Sequence, residues 1–153
     1  MSEISTKEIK KLREQTGAGV MDVRAALKKA GGDIAKAKEI LREKGLEKAA
    51  EKAHRETGQG LIETYIHAGG KIGAMIYVAC ETDFVAKTDE FKSLAKEVAM
   101  QVASMDPASV DELLKQEYIR DPSRRVKDLV AEIISKTGEN VQVKKIARFS
   151  LSD

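Results

Sequence analysis

The chain has 153 residues, enough for one ordinary domain or for one small domain with a smaller satellite. Hydrophobic residues make up 42% of the sequence, which is sufficient for a core, while 27 basic and 25 acidic side chains leave a net charge of only +2. This is not the strongly basic field of a protein whose affinity comes from neutralising phosphates.

Three short helices are predicted in the first part of the chain. A capping-box pattern at residues 5–8 begins the first helix, and the loop Thr16–Gly19, which contains two glycines able to adopt positive φ, ends it. A second helix follows and stops at a glycine pair. Asp33 is placed to cap a third helix, which we expect to end at Gly45. These helices predict a mini-bundle.

A hairpin is predicted after a charged segment. Residues 46–56 are mostly Ala, Lys and Glu, which favours a solvated helical linker. From residue 57 the apolar period changes to two, and Leu61–His67 and Ile72–Cys80 form two strands joined by a glycine-containing turn. Cys80 shares a face with the apolar residues of its strand, so we predict a small core residue rather than a nucleophile.

The last third of the chain predicts three helices and a strand. A helix from about Thr88 to Met105 lies across the sheet, and a capping box at Ser109–Glu112 opens a short one. Asp121–Ser123 introduces another helix, which stops at Gly138. The final strand alternates through Val141, Val143, Ala147, Phe149 and Leu151. The pair Lys145-Ile146 is out of phase, as at a bulge or a sheet edge.

The predicted fold class is therefore α+β. A three-helix mini-bundle similar to ubiquitin-associated (UBA) domains occupies residues 1–45, and a helical linker occupies residues 46–56. An α+β core follows at residues 57–153, in which an antiparallel sheet packs against helices.

Catalytic and metal chemistry have little support in this sequence. Cys80 is the only cysteine, which rules out an intramolecular disulfide and favours a reducing compartment. With His54 and His67 as the only histidines, neither a metal site nor a Cys-His pair is indicated. We therefore expect no catalytic residue, no metal and no cofactor, and a protein that is not an enzyme.

The location of the protein is also an expectation from composition. No apolar run approaches the ~18 residues that cross a bilayer, and the first residues do not resemble an export signal. We expect a cytoplasmic protein, most simply a bacterial one, although a mature organellar protein remains an alternative. No membrane partner is expected.

The corner Cys80–Lys87 joins the second strand to the long helix. Asp83 and Phe84 there offer another protein a charged acceptor beside an apolar wedge. The alternative at this point is that Phe84 plugs the core where strand becomes helix.

Three motifs carry a resemblance to a known family. Leu12–Leu27 reads LREQTGAGVMDVRAAL, Val78–Lys87 reads VACETDFVAK, and Thr137–Phe149 contains a Gly-Glu-Asn strand. In this order they resemble the elongation factor Ts family. Arg24 departs from the lysine that is more frequent there, which keeps the charge but changes the hydrogen-bond geometry.

The resemblance implies a nucleotide exchange factor without covalent chemistry. Such a factor binds the G domain of elongation factor Tu carrying GDP and promotes release of GDP and Mg²⁺ so that GTP can rebind. Asp83 and Phe84, flanked by Thr82 and Val85, would insert on the Mg²⁺ side of the nucleotide pocket. The mini-bundle would make a second contact through Arg13, Thr16, Gly17, Ala18, Gly19, Val20 and Met21. No direct contact with nucleic acid is implied.

Two other functions and one assembly state remain open. The bundle resembles UBA domains, so a generic protein-interaction module would bind partners without affecting nucleotide release. A ribosome- or RNA-associated protein would use the cationic front end, where residues 1–56 hold 14 Lys and Arg against 10 Asp and Glu. Because the chain resembles a short family member with one core subdomain, an unpaired sheet edge would favour a homodimer.

Overall fold

The computed structural model describes residues 3–152, so positions 1, 2 and 153 of the predicted domains lie outside it. The described part is α+β, as the sequence predicts, with helices first and an antiparallel sheet after them. In chain order its elements are α1 (Thr6–Thr16), α2 (Val20–Lys29), α3 (Ile34–Lys52), β1 (Gln59–Ile66), β2 (Ile72–Cys80), α4 (Asp83–Ala86), α5 (Asp89–Met105), α6 (Val110–Lys115), β3 (Glu117–Tyr118), β4 (Asp121–Arg125), α7 (Val126–Thr137) and β5 (Gln142–Ser150).

The first three helices form a small bundle with its own core. The predicted capping box of α1 is confirmed, because Ser5 Oγ accepts from the Glu8 amide at 3.2 Å and the Glu8 carboxylate accepts from the Ser5 amide at 3.1 Å. Buried apolar side chains from all three helices fill the centre: Leu12, Val23, Ala26, Leu27, Ala37 and Leu41. The bundle is thus a packed unit rather than three solvated helices.

The prediction that Gly45 ends the third helix is wrong. Helix α3 continues to Lys52 and absorbs most of the predicted linker. A glycine inside a helix costs about 1 kcal/mol, which tertiary packing can offset. Here the flat face at Gly45 lies against α7, where a Cβ would stand 3.6 Å from Ser135 Oγ and 3.9 Å from Ala131 Cβ. One helix therefore joins the bundle to the core.

The sheet has strand order β1-β2-β5, antiparallel throughout. Helix α5 packs on all three strands from one face, and α7 packs on α5 and adds buried side chains to the same core. Phe91 of α5, at 0% exposure, is part of that core. The inward residues of β2 end with Cys80, which is fully buried. The predicted hairpin and the core position of Cys80 are confirmed.

The predicted bulge in the last strand is also confirmed, but its consequence differs from the prediction. The register with β2 passes from Val143 to Lys145 and skips Lys144. Because one extra residue reverses the alternation, Ile146 faces the core after the bulge. The expectation that Ala147, Phe149 and Leu151 share a face with Val143 is therefore wrong; Phe149 and Leu151 are about four-fifths exposed, at 80% and 79%.

A third correction concerns residues 117–125, although the predicted stop of the following helix at Gly138 is confirmed. The sequence predicts a helix introduced at Asp121, whereas the structure has the hairpin β3–β4 there and α7 begins only at Val126. Asp121 Oδ1 accepts from the Ser123 amide and hydroxyl within β4, so these polar groups belong to the strand and do not start a helix. The side chain of Gln101, fully buried, bonds the hairpin backbone at Glu117 O and the Ile119 amide.

Candidate functional site

The corner between β2 and α5 presents an exposed aromatic side chain. Thr82 caps α4, its Oγ1 accepting from the Val85 amide at 3.3 Å. Phe84 follows in the first turn and is 83% exposed. The alternative that Phe84 plugs the core is therefore wrong, and the buried phenylalanine of this region is Phe91 in α5. Exposure of a ring this large on a fixed corner is typical of a contact site.

The other residues of the corner divide between inside and outside. Val85 is 8% exposed and packs in the core, so it supports the corner from within. Cys80 also faces inward and its Sγ donates to Thr82 O at 3.1 Å. Burial, reinforced by the charge of Glu139, raises the pKa of the Cys80 thiol to about 11, which makes it unreactive.

Asp83 is the exposed acidic residue beside Phe84. Its carboxylate lies 3.2 Å from Lys87 Nζ, one turn later, and both side chains are more than half exposed. Exposed pairs of this kind are worth about 0–1 kcal/mol. Asp83 is therefore free to exchange this pairing for a donor on another protein.

Glu139 holds the corner from the far end of the chain. It lies between α7 and β5 and accepts three hydrogen bonds: from the Glu81 amide at 3.1 Å, the Thr82 amide at 2.9 Å and Thr82 Oγ1 at 2.6 Å. Sequence reasoning placed Glu139 in a motif but gave it no role. A carboxylate directly after a helix-ending glycine, next to a strand, is the signal that could have singled it out.

A second set of contacts crosses the same junction in the opposite direction. Glu81 Oε1 accepts from the Asn140 amide at 2.7 Å and lies 3.4 Å from an Arg55 guanidinium nitrogen. Asn140, 1% exposed, donates through Nδ2 to Arg55 O at 2.7 Å. The end of β2, the turn after α7 and the segment after α3 are thereby tied together.

The predicted bundle loop is the connection between α1 and α2. Gly17 has φ 71° and ends α1, whereas Gly19 has an ordinary φ of −70°, so only one of the two glycines uses positive φ. Thr16 Oγ1 donates to Leu12 O at 2.7 Å and accepts from the Ala18 amide at 3.3 Å. These bonds fix the loop conformation.

One part of the bundle loop contacts α7 and the other part is exposed to solvent. At Gly17 a Cβ would lie 2.5 Å from Lys136 Cγ and 3.1 Å from Glu132 O, so the loop touches α7. Beyond the contact, Val20 and Met21 are 44% and 73% exposed, and Arg13 and Gly19 are also exposed. The predicted loop residues are thus together, in the connection between α1 and α2.

A cleft of about 580 Å³ separates the bundle from the core. Arg42 lies 3.4 Å from the buried carboxylate of Asp128, and Arg124 pairs with Glu132. Burial raises the pKa of Glu132, and the positive charge of Arg124 opposes that shift. Both arginines of the cleft are thus paired with acidic side chains of its lining.

The described residues contain neither a metal-binding cluster nor a helix able to span a membrane. Residues 3–152 contain no group of three or more His, Cys, Asp and Glu side chains arranged to hold a metal ion. Within the same residues, no helix combines the length and apolar character needed to cross a bilayer.

An exposed aromatic on a capped corner, together with a second exposed loop, defines a protein that works by contacting another protein. A family model described as elongation factor TS matches residues 81–153, which include this corner. The chain belongs to the elongation factor Ts family and is a translation elongation factor. The resemblance carried by the three motifs is confirmed.

Relatives named elongation factor Ts cover 95–100% of the chain. The protein of Caldanaerobacter subterraneus subsp. tengcongensis is 42% identical over 191 residues, covering 95% of this chain and 96% of the relative. That of Desulfosudis oleivorans is 39% identical over 198 residues, covering both chains fully. That of Nostoc sp. is 46% identical over 153 residues, all of this chain but 48% of the relative.

Alignment lengths above 153 mean that the first two relatives contain residues with no counterpart here. The alignment with the Nostoc protein has the same length as this chain. This chain spans about half the length of the Nostoc protein, which therefore also has residues with no counterpart here, outside the aligned stretch.

Proposed function

We propose that the chain is a guanine-nucleotide exchange factor for elongation factor Tu. It binds the G domain of the GDP form and promotes release of GDP and Mg²⁺, so that GTP rebinds. The observation that supports this best is Phe84, 83% exposed on a corner whose neighbours are buried or hydrogen-bonded. The chain forms and breaks no covalent bond in this process and is not an enzyme.

The proposed mechanism is differential binding to two states of the partner. Phe84 enters between helices of the G domain on the Mg²⁺ side of the pocket, and Asp83 accepts a hydrogen bond beside it. Thr82 and Val85 hold the corner that carries them. This arrangement fits best the state of elongation factor Tu that holds GDP weakly. By thermodynamic linkage, the chain therefore lowers the affinity for GDP, and GDP lowers the affinity for the chain, to the same extent.

The bundle makes the second contact in this proposal. Arg13, Gly19, Val20 and Met21 are exposed on one side of the bundle, while the contact between Gly17 and α7 fixes the loop relative to the core. Thr16, Gly17 and Ala18 shape the loop that presents them. A partner held at two places is kept in the open state more firmly than one held at a single place.

We propose the domain division 1–45, 46–56 and 57–153 with the helical part of the linker contributed by α3. Two separate hydrophobic clusters support it, one formed by α1–α3 and one by the sheet with its helices. We also propose a bacterial cytoplasmic location, in keeping with the bacterial sources of the relatives described above.

The rate of release of labelled GDP from purified elongation factor Tu tests the function directly. Addition of this chain should accelerate release in a concentration-dependent manner. A generic interaction module would bind without changing the rate. An RNA-associated protein would instead show RNA binding that falls steeply with salt, which would contradict the proposal if the GDP rate stayed unchanged.

The uncovered face of the sheet favours a homodimer as the assembly state. Strand pairing places Ile66, Gly73 and Phe149 side by side on this face, and Met75 in the next row. Ile66, Met75 and Phe149 are all more than half exposed. Two copies packed face to face would bury this surface with the symmetry of an isologous dimer.

Sedimentation equilibrium tests the dimer, with Phe149→Asp as the disrupting change and Phe84→Ala as the matched control. Both phenylalanines are exposed, but only Phe149 lies on the sheet. We expect the wild type and Phe84→Ala to be dimers and Phe149→Asp to be a monomer. A monomeric wild type would contradict the proposal.

A further inference from the structure

The orientation of Phe84 cannot come from its own packing. The ring is 83% exposed, and α4 has only four residues, far fewer than an isolated helix needs to be stable. Its direction is therefore set by what holds the two ends of the corner. At the far end, Thr88 Oγ1 donates to Val85 O at 2.7 Å and accepts from the amide of buried Phe91 at 3.2 Å.

At the near end, the corner depends on Glu139. The carboxylate accepts from two consecutive backbone amides and from Thr82 Oγ1. The same Oγ1 caps α4 by accepting from the Val85 amide. The hydroxyl proton of Thr82 thus points to Glu139, which leaves a lone pair on Oγ1 for the cap. Charged acceptors make hydrogen bonds about twice as strong as neutral ones do.

The backbone on both sides of Glu139 is held by hydrogen bonds other than those that its carboxylate accepts. Gly138 ends α7 with φ 75°, and the Glu139 amide donates to Thr137 Oγ1 at 3.3 Å. The neighbouring Asn140 is buried and tied to Glu81 by a 2.7 Å hydrogen bond. The carboxylate therefore extends from a rigid turn and is not a mobile surface side chain.

We propose that Glu139 is a positioning residue for nucleotide exchange, which fixes the Thr82 corner so that Phe84 is already oriented for insertion. This inference rests on the proposed exchange function. Without Glu139 the corner samples several orientations, and the fraction competent to bind falls, which weakens apparent affinity by that fraction. Contacts formed after insertion are unchanged, so the rate at saturation is retained.

The test compares Glu139→Ala with Glu112→Ala. Glu112 is a matched control because its carboxylate also accepts from a backbone amide, Ala108 at 2.8 Å, but at the start of α6 and away from the corner. GDP release from elongation factor Tu is followed over a concentration series of each factor. We expect Glu139→Ala to raise the half-saturating concentration about tenfold with the maximal rate kept, and Glu112→Ala to behave as wild type.

A second readout needs no partner. The chain has no tryptophan, so Phe84→Trp places a single indole on the corner. In the Phe84→Trp background, the fluorescence anisotropy of this indole should be lower in the double variant with Glu139→Ala. It should be unchanged in the double variant with Glu112→Ala. Glu139→Gln, which keeps an oxygen for the two amides, should restore most of the anisotropy and of the affinity.

The outcomes separate this inference from the exchange function. If Phe84→Ala slows GDP release but Glu139→Ala leaves the half-saturating concentration unchanged, the positioning role is wrong. Unchanged anisotropy in Glu139→Ala would overturn it as well. If the wild-type chain does not accelerate GDP release, the exchange function fails, and the anisotropy still decides whether Glu139 fixes the corner.

Discussion

Phe84 and Phe91 lie close together in the sequence on either side of the start of α5, with opposite environments. Phe91 is 0% exposed and Phe84 is 83% exposed. Burying a phenylalanine side chain is worth about 1.5–3 kcal/mol, a gain that folding of this chain leaves unused at Phe84. The folded state alone gives no reason for this ring, which is why a partner is the simplest explanation for it.

At the residue scale, Cys80 should react very slowly in the folded protein. Its thiol is fully buried and its pKa is raised to about 11, so almost none is ionised at pH 8, and the thiolate is the reactive form. We expect modification by a chromogenic disulfide reagent at pH 8 to be slow and to accelerate sharply in urea. Reaction of the folded protein as fast as free cysteine would contradict the buried position.

The same shift has a consequence for stability at high pH. Because the folded thiol titrates at about 11 and the ordinary value is 9.0, the unfolded chain loses this proton first as the pH rises. The contribution of Cys80 to stability is therefore present below pH 9 and is lost between pH 9 and 11.

Sequence patterns located most elements because their signals are local. Capping boxes marked the starts of α1 and α6, and the change to a period of two marked the hairpin β1–β2. The failures have tertiary causes. Gly45 continues a helix because α7 packs on it, and Phe149 turns outward because the bulge at Lys144 reverses the alternation.

The candidate site was predictable only in part for the same reason. The exposed corner at Asp83-Phe84 follows from a motif in one short stretch of sequence. Glu139 is separated from Thr82 by 57 positions. A hydrogen bond between residues so far apart in the chain produces no periodic pattern in the sequence that could predict it. Contacts of this kind become visible only once the strands are in register.

At the element scale, the pairing of β1 with β2 depends on Gly60. Its φ is 154°, and a Cβ there would stand 2.1 Å from Val78 O and 2.8 Å from Ala79 Cα, both backbone atoms that cannot move aside. We expect Gly60→Ala to lower the free energy of unfolding by about 2 kcal/mol or more, measured by urea denaturation.

Gly58 provides the matched control for this change. A Cβ at Gly58 would meet no atom within 4 Å, so Gly58→Ala should change stability by less than about 0.5 kcal/mol. Equal stability of the Gly60→Ala and Gly58→Ala proteins would show that the two strands are not as close as described here.

At the scale of the whole molecule, α3 and α7 hold the two proposed contact sites in a fixed relation. Helix α3 begins in the bundle and ends beside the core, where Ala49 packs on the core cluster. Helix α7 touches the bundle loop at Gly17 and leads through Gly138 into the turn that carries Glu139. The packing of α3 and α7 therefore sets the distance between the two proposed contact sites.

Deletion of residues 1–45 tests the division between bundle and core. Among the described residues, the core cluster contains none that precedes Ala49, so the remaining chain should fold. Titration with elongation factor Tu should show weaker binding, since one of two contacts is lost. Unchanged affinity would argue against the second contact, and loss of the far-ultraviolet circular dichroism signal of the core would argue against the division.

We propose that Phe84 drives nucleotide release, and the rate of GDP release from elongation factor Tu in the presence of the Phe84→Ala protein measures this role. Because the ring is exposed, the variant should keep wild-type stability within about 0.5 kcal/mol. Met105→Ala, an exposed apolar side chain outside both contacts, serves as the control. We predict that Phe84→Ala loses about 1–3 kcal/mol of binding and stimulates release poorly. If a folded Phe84→Ala protein accelerates GDP release from elongation factor Tu as much as the wild type does, Phe84 does not drive release.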